Sequence, residues 1–270
     1  MNSVDHTAER GVTVEIGGMP ILLCTQDNSF RELLTSRYAG FVSGAEPQFE
    51  FHIDLLEPSG EVPADEDAQV WRQAGRWLLR RGDFLAHWDP GTRQGRIRQS
   101  CNPYAVDSVL RIVHSLILAG QGGFLVHAAS AIRGGRAFLF AGISGAGKTT
   151  ISRLAPSDVT LLTDEISYVR SDGNGYRACG TPFAGELAKV GENESAPVSR
   201  LFLLEKGTEN RIEAIPAPEA ARLLLKNILF FAEDAELVEL VFQSACEFVE
   251  RVPVRRLTFA PDQRVWEMIG

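Results

Sequence analysis

The chain has 270 residues, 44% of them hydrophobic and 23% charged, a balance typical of a globular protein with a proper core. Its formal net charge of −8 disfavours general nucleic-acid and anionic-membrane binders, because phosphate-rich partners select basic surfaces. The polar segment 1–11 lacks the apolar core of a signal peptide, and no run approaches the roughly 18 apolar residues of a membrane span. We therefore expect a cytoplasmic protein that binds neither nucleic acid nor membrane.

The first hundred residues are predicted to form a small mixed α/β domain, 1–100, whose role the sequence does not reveal. Alternating apolar residues and turn formers predict two hairpins, a helix and a strand, over 11–24, 84–98, 30–41 and 49–55 respectively. No motif with recognisable chemistry lies in this part.

The second predicted domain, 101–270, begins with a helix that Asn102 caps and Pro103 opens. Its apolar residues keep helical spacing as far as Gly120, and His114 lies off this stripe, so we expect His114 at the surface. Later periodicities predict helices over 217–231 and 236–250 and strands over 201–204 and 254–258.

The four cysteines are widely separated and include no C-x-x-C pair; they are Cys24, Cys101, Cys179 and Cys246. This spacing favours free thiols over a disulfide framework or a metal cluster.

The segment 142–149, GISGAGKT, fills every fixed position of the G-x-x-x-x-G-K-[ST] phosphate-binding loop. An apolar strand is predicted before it, over 137–141, and a short helix after it, ending at Pro156. Lys148 would reach the terminal phosphates and the Thr149 hydroxyl would ligate Mg²⁺. The predicted nucleotide-binding residues are Gly142, Ser144, Gly145, Ala146, Gly147, Lys148, Thr149 and Thr150.

A second apolar strand, 159–163, ends in Asp164 and Glu165, which would bring two carboxylates to the same sheet edge as the loop. Lys148 and Asp164 are 164 − 148 = 16 positions apart, too few for the helical subdomain of an ABC-transporter ATPase. Phosphoryl transfer needs charge neutralisation and a carboxylate near the acceptor hydroxyl. Asp164 is therefore predicted to act as general base or as Mg²⁺ ligand, and both roles stay open.

Five further residues are weaker candidates. His127, on the strand 124–127, is either close to the phosphates or a core histidine bonded to backbone. Arg177 and Arg200 either clamp phosphates or make surface salt links. Thr181 and Glu186 either contact substrate or serve a turn.

The arrangement of His127-Ala128-Ala129-Ser130, a hairpin turning at 134–135, the glycine loop and Asp164-Glu165 resembles the catalytic domain of HPr kinase/phosphorylase. That family belongs to a wider group with the ATP-dependent phosphoenolpyruvate carboxykinases. The loop 180–186, GTPFAGE, resembles the G-T-P-[WF]-x-G-E of stand-alone relatives, some of them in peptide-maturation clusters. The resemblance covers about residues 105–260.

The resemblance implies that Asp164 acts as the base toward a serine hydroxyl, with Lys148 and His127 as the other catalytic residues. Thr149, Asp164 and Glu165 would hold the metal, although the family has two aspartates where this chain has Asp164-Glu165. No copy of the family's HPr-docking signature is evident, so kinase chemistry is implied more strongly than HPr as the acceptor.

Together these features predict an α/β protein in which a P-loop domain of the HPr kinase/phosphoenolpyruvate carboxykinase type follows the small N-terminal domain. The predicted function is a Mg²⁺- and ATP-dependent kinase acting on a serine of a small protein or peptide. A small-molecule kinase and a nucleotide-binding regulatory or scaffold protein remain alternatives. The acceptor, the choice among ATP, GTP and pyrophosphate, and the oligomeric state, with a homo-oligomer among the options, stay open.

Overall fold

The computed structural model describes residues 11–57, 67–187 and 191–270; the start of the predicted N-terminal domain, 1–10, lies outside these ranges. Within them the protein is a mixed α/β chain with two sheets. Contacts divide it into a first unit, up to Val113 with Phe231–Asp234, and a second unit, His114–Phe230 with Ala235–Gly270. This division falls within helix α2 (Pro103–Ala119), and the domain limits 1–100 and 101–270 stay a prediction. No helix in the described ranges combines the length and apolarity needed to cross a bilayer.

The first unit contains one sheet of seven described strands in the order β1-β2-β3-β7-β6-β5-β4, with a helix and a 3₁₀ turn. The elements are β1 (Gly11–Ile16), β2 (Met19–Thr25), α1 (Asn28–Arg37), the 3₁₀ turn (Ala39–Phe41), β3 (Phe49–Leu55), β4 (Gln69–Gln73), β5 (Arg76–Arg81), β6 (Phe84–Asp89) and β7 (Gln94–Gln99).

Local sequence explains how this unit begins. Gly17 and Gly18 both take positive φ, +63° and +81°, and so turn β1 back along β2 as the alternating pattern predicted. Asp27 caps α1, because its side chain accepts a 2.8 Å hydrogen bond from the Phe30 amide. Strand β3 then pairs in parallel with both β2 and β7, pairings that link distant parts of the chain.

The second unit is built on a sheet of nine described strands. Its elements are β8 (Phe124–Arg133), β9 (Arg136–Ala141), α3 (Lys148–Arg153), β10 (Thr160–Thr163), β11 (Ile166–Ser171), β12 (Tyr176–Cys179), β13 (Ser195–Lys206), β14 (Arg211–Ala214), α4 (Ala217–Leu225), β15 (Ile228–Leu229), α5 (Ala235–Arg251), β16 (Val254–Phe259) and a 3₁₀ helix (Gln263–Met268).

The strand before the glycine loop lies centrally in this sheet. β9 pairs with β8 antiparallel and with β13 parallel, so that Leu139 lies opposite Leu201 and Ala141 opposite Leu203. Because parallel strands end at the same edge, the loop after β9 and the last residues of β13 emerge side by side. β8 also pairs with β10 and β11, which carry the two predicted acids between them.

Alternate residues of β9 pack into two separate apolar clusters, one on each face of the sheet. Leu139 belongs to the cluster that α4 and α5 cover, together with Leu224 and Phe248. Phe140 belongs to the other, with Ile151 of α3 and Trp266 of the last 3₁₀ helix. The Trp266 indole nitrogen also donates a 3.0 Å hydrogen bond to the Ile151 carbonyl, which ties the end of the chain to α3. The sheet and the last 3₁₀ helix therefore hold α3, the helix that follows the glycine loop, in place.

The predicted helix 217–231 is wrong in its second half. Helix α4 ends at Leu225, and Asn227 donates its side-chain amide to the Leu223 carbonyl at 2.8 Å. The next two residues, Ile228 and Leu229, pair with β8 as the short strand β15. An open strand edge gains hydrogen bonds from this segment, and that tertiary gain overrides the helical pattern.

The expected surface position of His114 is also wrong. His114 is fully buried, its ring makes an edge-to-face contact with Tyr168 at 5.5 Å, and neither ring nitrogen has a hydrogen-bond partner among the described residues. Burial lowers its pKa to about 3. The apolar stripe of α2 is thus wider than its periodicity indicated, because a neutral imidazole packs within it.

This burial predicts a stability that falls with acidification. The unfolded histidine binds a proton below about pH 6.5 while the folded one stays neutral, so stability present above pH 6.5 is lost as pH falls. His114→Leu should remove about 2 kcal/mol of the loss between pH 6.5 and 5. Urea unfolding gives the free energy of unfolding at each pH, and its dependence on pH should be the same for the two proteins above pH 7. The same dependence below pH 6 as well would contradict a buried, neutral His114.

Candidate functional site

The glycine loop 142–147 connects β9 to α3, and glycine is needed at three of its positions. Gly145 and Gly147 take φ of +78° and +115°, which other residues rarely adopt. A Cβ on Gly147 would also lie 2.7 Å from the Phe259 ring, and one on Gly142 would lie 2.6 Å from the Ala146 Cβ. The loop backbone therefore lies too close to its neighbours to carry side chains at Gly142 and Gly147.

Lys148 begins α3, and its side chain folds back over the loop. Its ammonium group donates to the Gly142 carbonyl at 2.9 Å and to the Ile143 carbonyl at 3.3 Å. Burial lowers the pKa of this ammonium, while the carboxylates of Glu165 and Glu186 act in the opposite direction. Within the described part of the chain both hydrogen-bond acceptors of this ammonium are neutral carbonyls, so it can transfer to an anionic ligand, because charge-assisted hydrogen bonds are the stronger ones.

Asp164 follows β10 and is 4% exposed. Its two carboxylate oxygens accept hydrogen bonds from different backbone amides: Oδ1 from Gly185 at 2.8 Å and Oδ2 from Leu187 at 2.9 Å. A carboxylate has about four acceptor positions, so roughly two remain for a metal or a substrate hydroxyl. Asp164 thus shapes the site as well as facing it.

The segment 181–187 lies against the two acids because Gly185 has no side chain. A Cβ there would come within 2.6 Å of the Glu165 carboxylate and 2.9 Å of the Asp164 carboxylate. The next residue, Glu186, accepts a 3.2 Å hydrogen bond from the Thr149 hydroxyl. A third carboxylate therefore reaches the residue predicted to ligate Mg²⁺.

These groups line one cavity of about 320 Å³ in the second unit. Its walls include most of the predicted site residues: His127, Ser144, Gly145, Gly147, Lys148, Thr149, Thr150, Asp164 and Glu165. Gly142 and Ala146 belong to the loop but do not line the cavity. His127, on β8, lies opposite Ile166 and is half-buried. The structure thus brings His127, Lys148 and Asp164 together, while their roles stay predictions.

Sequence reasoning missed two residues of this cavity, Gly185 and Lys206, and left Glu186 undecided. Lys206 is exposed at the end of β13, and the parallel pairing of β13 with β9 brings it beside the glycine loop. The sequence does show a lysine at the end of an apolar strand. This lysine could have been assigned to the cavity only with the knowledge that its strand pairs with β9.

Three of the weaker candidates lie elsewhere. Thr181 is buried and donates its hydroxyl to the Ile166 carbonyl at 2.8 Å, so its role is structural. Arg177 donates to the Ser195 carbonyl at 2.9 Å, and Arg200 lies over the Phe202 ring, 5.7 Å from its centroid. Neither arginine lines the cavity.

Comparison with known proteins identifies a family for most of the chain. The model of the family described as "SynChlorMet cassette protein ScmC" matches residues 104–270, more than half of the sequence. The chain belongs to the ScmC family. It matches none of the curated proteins.

Among solved structures, the chain is similar to the Hpr(Ser) kinase/phosphatase from Coxiella burnetii, at 13% identity. The match covers 44% of this chain and 87% of that chain, with a TM-score of 0.25.

The two amide bonds to Asp164 generate a prediction for Asp164→Asn. Asparagine keeps one acceptor oxygen and replaces the other by an NH₂ group, so the amide of Gly185 or Leu187 loses its partner. The lost hydrogen bond should destabilise the segment 181–187 by about 1–3 kcal/mol. Amide hydrogen exchange at Gly185 and Leu187 should accelerate accordingly. In Glu165→Gln, the matched control, both amides should exchange as in the wild type, and unchanged exchange in Asp164→Asn would contradict the prediction.

Proposed function

We propose that this member of the ScmC family is a Mg²⁺- and ATP-dependent kinase of the HPr kinase type, with a P-loop fold in its second unit. The proposed acceptor is a serine hydroxyl of a small protein or peptide. The observation that carries the proposal is the convergence of Lys148, Asp164 and Glu165 with a complete phosphate-loop motif in one cavity. A cation, a glycine loop and carboxylates are what phosphoryl transfer requires.

The donor groups of the cavity fit a magnesium-bound nucleoside triphosphate. The glycine loop and Lys148 supply hydrogen-bond donors for phosphate oxygens, and about 320 Å³ accommodates a polyphosphate. Oxygen atoms of Thr149, Asp164 and Glu165 are the hard ligands that Mg²⁺ prefers. When bound, Mg²⁺ supplies neutralisation of the charge that develops between the transferred and leaving phosphates.

The residues of the chain would divide the chemistry as follows. Asp164 takes the proton from the acceptor hydroxyl while the hydroxyl oxygen forms a bond to the γ-phosphorus. The bond between that phosphorus and the leaving nucleoside diphosphate breaks. Lys148 neutralises the phosphate oxygens. His127, half-buried in the same cavity, either contacts the phosphates directly or modifies their electrostatic environment.

The main alternative is a nucleotide-binding regulatory protein with little turnover, and a small-molecule kinase is a second. The buried Asp164 carboxylate favours an enzyme over a regulator, because burying a carboxylate is costly and a catalytic role would account for its burial beside the loop. Peptide and small-molecule acceptors therefore both belong in a transfer assay.

Nucleotide binding is tested by thermal unfolding with Mg²⁺·ATP. The ligand should raise the melting temperature, since saturation at 100 times Kd adds about 2.7 kcal/mol of stability. Lys148→Ala should remove most of the shift, because the Lys148 ammonium lies directly over the glycine loop. Lys226→Ala, which removes an exposed lysine outside this cavity, is the matched control and should keep the full shift. Equal shifts in wild type and Lys148→Ala would contradict the assignment.

Catalysis is tested by transfer of labelled γ-phosphate to serine-containing peptides and to small hydroxyl compounds, with magnesium varied for each protein. Asp164→Asn should keep nucleotide binding and lose about 10²–10⁴ in turnover if Asp164 is the base. Glu165→Gln should instead need more magnesium and recover when it is supplied.

The outcomes separate the alternatives. Rescue of Asp164→Asn by magnesium would make Asp164 a metal ligand, and His127 the next candidate base. Turnover of small hydroxyl compounds alone would favour the small-molecule kinase. Tight Mg²⁺·ATP binding by the wild type with no transfer to any acceptor would favour the regulatory protein. Replacing ATP by GTP or pyrophosphate in the same assay identifies the phosphoryl donor.

A further inference from the structure

We propose that the first unit binds a divalent transition-metal ion of the Zn²⁺ class through Cys24, Glu50 and His52, independently of the proposed kinase site. One ligand atom from each of the three residues lies within 4.8 Å of the others. Parallel pairing of β2 with β3 creates this cluster, because Cys24 lies opposite His52 and Glu50 is two residues before it on the same face.

The distances suit tetrahedral coordination. The Cys24 Sγ lies 3.6 Å from the Glu50 Oε1, and the His52 Nε2 lies 2.9 Å from the same oxygen. Zinc bonds of ordinary length at a tetrahedral angle separate sulfur from oxygen by ~3.6 Å and nitrogen from oxygen by ~3.4 Å. The sulfur and oxygen thus stand at the spacing of a zinc site, and the nitrogen and oxygen lie about half an ångström closer together than in such a site.

Burial is graded across the cluster. Cys24 is 6% exposed, whereas the side chains of Glu50 and His52 are 24% and 48% exposed. Three protein ligands with one open side leave a fourth position for water, the arrangement of a zinc site that is not fully closed. Gly11, opposite Cys24 in the hairpin, adds no side chain there, and a Cβ on it would lie 3.3 Å from the Sγ.

The ligand types select the metal. A thiolate and an imidazole favour zinc and similar transition metals, while Mg²⁺ prefers oxygen ligands alone. Without metal, burial and the nearby Glu50 carboxylate raise the pKa of the Cys24 thiol to about 12, so metal binding must release that proton to solvent. Arg96, opposite His52 on β7, forms an ion pair with Asp54 at 3.3 Å, so its charge is already balanced beside the cluster.

The test is titration of chelator-treated, full-length protein with Co²⁺ in excess Mg²⁺, followed by absorption. Cobalt bound to a thiolate gives a sulfur-to-metal charge-transfer band, which an all-oxygen site such as that of Thr149 and Asp164 cannot give. We expect a band that saturates at one equivalent and disappears when Zn²⁺ is added. Absence of the band in the wild type would overturn the proposal and leave a metal-free hydrogen-bonded cluster.

Variants assign the site. Cys24→Ser should abolish the band, and Cys101→Ser, which changes an exposed cysteine of the same unit, should keep it. His52→Gln should weaken binding by more than the roughly 10–100-fold typical of an outer-shell partner. His52 is half exposed, so this variant decides the matter even if Cys24→Ser fails to fold. A band retained in both Cys24→Ser and His52→Gln would overturn the assignment. Lys148→Ala should leave the band intact whether or not the kinase proposal holds.

Discussion

The candidate site depends on one carboxylate and two backbone amides. Asp164 directly follows strand β10, and the hydrogen bonds that it accepts from the Gly185 and Leu187 amides hold the segment 181–187 against that strand end. Thr181 fixes the other end of the segment through the Ile166 carbonyl. With both ends tied, Glu186 reaches the Thr149 hydroxyl and a wall of the cavity is complete. The proposed base therefore also organises one wall of the site.

Features specified by neighbouring residues were predictable from the sequence. The glycine pair 17–18 turns the first hairpin, Asn102 caps α2 through a 3.0 Å bond from the Tyr104 amide, and the loop between β9 and α3 follows its motif. Each of these depends on turn geometry or capping within a few residues, where intrinsic preferences are strong. The same holds for Asp164, which was placed near the loop because both follow strands.

Features that depend on which distant segments pair were not predictable. Lys206 reaches the cavity only because β13 lies parallel to β9, and Cys24 meets His52 only because β2 lies parallel to β3. The spacing of the cysteines along the chain favoured free thiols over a metal cluster, yet a sheet brings together residues that are far apart in sequence. The prediction for His114 was wrong for a different reason. A histidine on a helix was taken as a polar surface residue, although a neutral imidazole can pack in the core as an aromatic ring.

The packing of Trp266 against α3 has a practical consequence for spectroscopy. The chain has four tryptophans, and Trp71, Trp77 and Trp88 all lie in the first unit, so Trp266 is the sole indole of the second. Its nitrogen donates to Ile151, one turn beyond the glycine loop, and its ring stacks edge-on with Phe140 of the strand before the loop. A chain in which the other three are replaced by phenylalanine would carry a built-in optical reporter on both elements that flank the glycine loop. Its emission would report the packing of those two elements, without an attached dye.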